Sequence, residues 1–127
     1  DLLNQRPLPT EPEICLSLID KVLRKEKDIA VIVNSAHFLA PASGGGLSLS
    51  PSDRVNIERF RNWSQSETIR ANKNIVLLLS DQASKISSEL RLSGNEVRIV
   101  FIAKPEPEER RSFIRTHPRD RKSRHKY

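Results

Sequence analysis

A chain of 127 residues with 36% hydrophobic content and a formal charge of +6 has the length of one domain and apolar material for a modest core. Its single cysteine, Cys15, excludes an intrachain disulfide and a cysteine metal cluster. No apolar run approaches the roughly 20 residues that span a bilayer, and no signal segment opens the chain, so a cytoplasmic protein with no membrane partner is expected.

The charge is localised. Arg115 to Tyr127 hold six Lys/Arg against Asp120, which leaves 16 basic and 15 acidic residues before them, a net of +1. Residues 116–127 therefore read as a basic tail, solvated and without fixed structure, where nucleic acid or an acidic partner would be met through charge. Apart from Tyr127 the tail carries no aromatics, so base stacking has little support. Methionine is absent throughout, from which a piece of a longer protein is expected.

Residues 1–10, with Pro7 and Pro9, form an extended lead-in. Thr10 and Glu13 have the spacing of a capping box around Pro12, which predicts a helix over 11–25. Ile14, Leu18 and Val22 recur at helical spacing, flanked by Cys15, Ile19 and Leu23, and give it a broad buried face. Cys15 falls on that face as a small core residue rather than a nucleophile.

After the charged turn Lys25 to Asp28, the apolar run Ile29 to Val33 reads as a strand covered on both faces, and it ends on the polar pair Asn34 and Ser35. In open α/β sheets ligands bind beyond the carboxyl ends of strands, so this pair sits where chemistry is expected. The Gly44 to Gly46 stretch is not followed by the lysine of a phosphate-binding loop and reads as a flexible loop. Ser50, Pro51 and Asp53 start a second helix, packed through Val55, Phe60 and Trp63, with Trp63 as a core or interface anchor. Ser64 and Glu67 restart a short helix toward Asn72.

Asn74 to Asp81 repeats the earlier design, an apolar strand ending in the polar pair Ser80 and Asp81. Two such strands joined by helices make a βαβ unit with both polar ends on one edge, so Asp81 should lie near Asn34 and Ser35. A short helix over 84–92 follows, with Gly94 as its stop. Val97 to Ala103 reads as a third strand, and Pro107, Glu108 and Glu109 start a last helix anchored by Phe113 and Ile114. His37, His117 and His125 have no metal-ligand spacing, and nothing marks a nucleophile elbow.

Three separated blocks resemble the AAA+ ATPase module. Val31 to Pro41 is similar to its Walker B segment, with Leu39-Ala40-Pro41 matching; Ser80-Asp81 to Leu90 resembles sensor 1; and Leu90 to Asn95, on through Pro105 and Arg110, resembles the segment that leads to the helical lid. Order and spacing agree over roughly residues 12–115. The resemblance implies a three-layer partial P-loop NTPase-like α/β fold over residues 11–115, a mainly parallel sheet flanked by helices, with ATP and magnesium as cofactors and a homo-oligomer in the full-length protein.

The same resemblance places neutral residues where the chemistry needs charge. The magnesium-holding acid falls at Asn34 and the water-activating acid at Ser35, and neither type replaces a carboxylate well. The sensor-1 asparagine falls at Asp81. The arginine-finger positions fall at Leu92 and Asn95, with Arg91 and Arg98 beside them. No phosphate-binding loop occurs in the chain. The resemblance thus implies catalytic candidates Ser35 and Asp81, nucleotide contacts from Asn34, Asp81 and Arg91, and weak magnesium candidates in Asn34 and Asp81. Two readings follow: a fragment of an AAA+ ATPase core completed by an upstream segment, or a degenerate AAA+-like scaffold with little or no turnover. A small α/β domain with a nucleic-acid-binding tail is the third.

Overall fold

The computed structural model describes residues 9–44, 48–91 and 96–116. The first helix, α1, spans Pro12–Lys25, and its core residues Leu16 and Leu23 lie seven positions apart on one face, as helical periodicity requires. The capping box expected from Thr10 and Glu13 does not form. The cap is Glu11, with no side-chain bond, because Pro12 opens the helix one residue later and Glu13 turns to a neighbour, accepting from Ser52 Oγ at 2.8 Å.

Strand β1 covers Ala30–Val33. Helix α2 covers Pro51–Gln65, with the expected start: Ser50 Oγ accepts from the Asp53 amide while the Asp53 carboxylate accepts from the Ser50 amide. The short helix α3, Glu67–Ala71, is capped by Ser66, two residues beyond Ser64. Strand β2 covers Ile75–Leu78, α4 covers Ser88–Arg91, and α5 covers Pro107–Thr116. Single 3-10 turns at Ala36–Phe38 and Ala83–Lys85 follow the two strands, the second occupying the start of the helix expected over 84–92.

The two strands pair in parallel, with Ala30 opposite Ile75 and Val33 opposite Leu78. Their entry turns are alike, since Asp28 and Lys73 both take positive φ, 57° and 58°. Asn74 stitches these turns together. Its Oδ1 accepts from the Ile29 amide at 2.9 Å, while its Nδ2 donates to the carbonyls of Leu23 and Glu26 at 2.7 and 2.8 Å. One side chain thereby joins the end of α1 to the start of both strands.

The core lies on one face of this sheet. Leu16, Leu23, Ile57, Phe60, Trp63, Ile69 and Leu90 are buried together, and Val31, Val33, Val76 and Leu78 pack against them. Burying each large side chain contributes about 1.5–3 kcal/mol, and Leu23 is fully covered. Trp63 is the anchor expected of it: it packs edge-on to Phe60, with ring centroids 5.5 Å apart, and its Nε1 donates to Asp20 at 2.7 Å. Burial raises the Asp20 carboxyl pKa, but the Trp63 hydrogen bond and the Arg24 guanidinium outweigh it and hold it below the usual range. Cys15 is half-buried and bonds to the Pro9 carbonyl.

The α/β class, with a parallel sheet and flanking helices, is as expected, but besides the missing Thr10–Glu13 cap several local expectations are not met: Ile14 and Val55, expected on buried helix faces, are 46% and 48% exposed. The strands are covered on one face only, because Ile32 is 62% exposed and Ile75 and Leu77 are exposed beside it. Val97 to Ala103 forms no strand: a strand needs a neighbouring edge to bond to, and no described strand lies against it, so Ile102 is left 90% exposed. Helix α5 forms from Pro107, yet Phe113 and Ile114 are each 63% exposed rather than buried as anchors. The lead-in at 1–8, Gly45 and Gly46, the Leu92 to Asn95 positions and the tail beyond Thr116 lie outside the described residues.

Candidate functional site at the carboxyl edge of the sheet

The parallel pairing carries the chain ends of β1 and β2 to one edge, as the βαβ reading requires. The Leu79 amide donates to the Val33 carbonyl and the Ala36 amide donates to the Leu79 carbonyl, both at 2.9 Å. The segments beyond continue the contact, with an antiparallel bridge between Pro41 and Ile86 and bonds from the Ala42 amide to Lys85 and from the Ser87 amide to Ala40. Asn34, Ser35, His37, Ser80, Asp81 and Lys85 are the polar residues of this edge.

Asn34 is exposed. Ser35 takes a left-handed conformation, φ 53° and ψ 44°, uncommon for a residue other than glycine and costing of order 1–3 kcal/mol. It turns the chain sharply into the 3-10 turn that carries His37. No described hydrogen bond joins Asn34 or Ser35 to Asp81. Arg91 is exposed at the end of α4, and no described bond or ion pair brings it to these residues. Arg98 is exposed beyond α4.

Asp81 has other partners. Lys85 Nζ sits 2.6 Å from its Oδ2, and His37 Nδ1 lies 4.0 Å from its Oδ1. The hydrogen bond from Lys85 holds the Asp81 carboxyl below the usual range, helped by the charges of Lys85 and His37. Ser80 Oγ is 3.1 Å from His37 Nδ1 and donates to the Gln82 carbonyl at 2.9 Å. The direction of the Ser80–His37 hydrogen bond depends on the imidazole tautomer, and the contacts among Ser80, His37 and Asp81 join the two turns at this edge. The Phe38 ring lies against the His37 ring, tilted by 39°, with centroids 4.4 Å apart.

His37 and Lys85 were not singled out as partners of Asp81 by their sequence positions. Lys85 had a usable signal, the i, i+4 spacing from Asp81. The His37 contact depends on two turns meeting, which local spacing does not encode.

The donor set does not suit a magnesium nucleotide. Among the described residues of this edge the carboxylate is Asp81, which is engaged by an ammonium group, and the two residues that close the β1 strand are neutral. Among the described residues no group of three or more His, Cys, Asp or Glu is arranged to hold a metal ion. A cavity of about 290 Å³ nearby is lined by Phe38, Leu39, Glu13, Asp53 and Asn56, and Asn34, Ser35 and Asp81 are not among its lining residues. No helix of the described residues is long and apolar enough to cross a membrane.

Parallel strands joined through helices, with the polar turns gathered on the carboxyl edge, define a Rossmann-like α/β domain. Residues 1–103 match the family described as AAA+ chaperone, N-terminal Rossmann-like domain, and the chain belongs to that family. No curated protein and no solved structure gives a match.

Proposed function

We propose that this chain is a docking and structural domain of an AAA+ chaperone and that it does not itself turn over nucleotide. The observation that carries the reading is the Asp81–Lys85 pair at 2.6 Å, because it engages the carboxylate that the described residues place at the end of the second strand, where magnesium and water would be handled. On this reading β1 keeps the frame of a Walker B-like strand without its acids, and ATP and magnesium are bound elsewhere in the full-length chaperone. The domain then contributes contacts that hold the subunits of a homo-oligomer.

The test is magnesium-dependent ATP hydrolysis by the full-length chaperone, wild type against Asp81→Ala and Asp81→Asn. The reading expects all three to turn over alike, with circular dichroism confirming that each is folded. A loss of about tenfold or more in the folded variants, about 1.4 kcal/mol in the barrier, would overturn it. Asp81 would then be a magnesium or water-positioning residue, and the chain part of the ATPase core.

A further inference from the structure

We infer that the groove between α1 and α2 is a docking site for an acidic peptide segment of a protein partner, whose carboxylates are held by Arg54 and Arg59. Asp81 and Lys85 do not line this groove, so the inference stands apart from whether nucleotide is turned over at the sheet edge.

The groove has a volume of about 550 Å³. One wall comes from α2, where Arg54, Glu58 and Asn62 recur every four residues with Val55 and Arg59 beside them, a single helical stripe. The other comes from α1 through Asp20 and Arg24, again four residues apart. Two facing stripes thus bring three guanidinium groups to one groove. Val55, 48% exposed, gives it an apolar lining.

The charged groups are not equally engaged. Arg24 holds Asp20, with Nε 3.2 Å from its carboxylate, and Asp20 also accepts from Trp63, so this acid is used within the fold. Glu58 turns toward Arg61, 3.8 Å away. The side chains of Arg54 and Arg59 have no described hydrogen bond or ion pair, and Arg59 Nε is buried without a described partner. A donor taken out of water with no acceptor destabilises the fold until one is supplied. A carboxylate supplies it, since the guanidinium fork gives Nε–H and one Nη–H to its two oxygens in parallel. Arg54, one turn earlier on the same helix, is placed for a second carboxylate.

The choice of carboxylates follows from the balance of charge. Three arginines against Asp20 and Glu58 leave the groove at +1. A phosphorylated side chain carries close to two negative charges, and a nucleic-acid backbone carries a dense row of them. Either would press its excess charge against Asp20 and Glu58, whereas a glutamate side chain brings one charge and methylenes for Val55. The volume is that of a drug-sized ligand, room for a peptide segment rather than for one carboxylate.

Fluorescence anisotropy of a labelled hexaglutamate peptide titrated with the full-length protein tests the inference. Arg54→Gln and Arg59→Gln should each weaken binding about fivefold, and together about twentyfold. Arg70→Gln removes the same charge away from the groove, where Arg70 pairs with Glu96, and should bind as wild type. Arg54 is exposed, so its variant keeps the fold and carries the test alone if circular dichroism shows Arg59→Gln to be unfolded. Absence of binding to wild type would overturn the inference, as would unchanged affinity in the groove variants, which would put the peptide on the basic residues beyond Thr116. Equal losses in all the single variants, a response to net charge alone, would overturn it too. A phosphoserine peptide or single-stranded oligonucleotide of equal charge that binds more tightly than hexaglutamate, and loses that affinity in Arg54→Gln, would refute the carboxylate assignment. An oligomer that hexaglutamate dissociates in wild type but not in Arg54→Gln would make the occupant a second copy of this chain and refute the separate partner.

Discussion

Replacing Asp20 tests whether the Trp63 anchor depends on its acceptor. Trp63 is 5% exposed and its Nε1 proton goes to Asp20 at 2.7 Å, so Asp20→Ala leaves a buried donor unpaired. A hydrogen bond to a charged acceptor contributes about 1.5–3 kcal/mol. The Arg24–Asp20 pair at 3.2 Å is partly exposed and adds at most about 1 kcal/mol. A loss of about 2 kcal/mol should lower the melting midpoint by roughly 10 °C in a domain of this size. Asp20→Asn keeps an acceptor oxygen and should cost about half as much. Trp63 is the only tryptophan, so its fluorescence reports the site directly when this chain is melted. Because the folded state holds the Asp20 carboxyl below its ordinary range, its contribution is complete above the unfolded pKa, about 4, and is lost as pH falls through the lower folded value. Wild type should lose that stability in acid and Asp20→Asn should not. Equal midpoints for Asp20→Ala and wild type, or Asp20→Asn melting as low as Asp20→Ala, would refute the reasoning.

Three further substitutions probe the frame. Asn74→Ala removes an acceptor for the Ile29 amide and donors to Leu23 and Glu26; it should destabilise by about 2–3 kcal/mol, read as a lower urea midpoint with unchanged slope. Leu23→Ala opens a cavity at a fully buried position and should cost about 2–5 kcal/mol, measured in the same way. Ser50→Ala breaks the capping box of α2 and should cost about 1 kcal/mol, with Asp53→Ala giving a similar loss and the double variant little more.

Local chemistry was sufficient for the elements that stand on their own residues. Ser50, Pro51 and Asp53 specify the start of α2 because all the groups of that cap lie within one turn. The apolar runs ending in Asn34–Ser35 and Ser80–Asp81 specify two parallel strands with polar ends together, since a helix-linked pair has few other arrangements. Trp63 was legible as an anchor from its place on a helical face. The same local pattern in Val97 to Ala103 was not enough: β-propensity becomes a strand only when a neighbouring edge accepts its hydrogen bonds, and no described edge does. Tertiary structure alone decided that the sheet is covered on one face, that Glu13 serves Ser52 instead of capping its own helix, and that His37 lies beside Asp81. Each of these depends on which distant segments of the chain come together, and periodicity and composition carry no term for that.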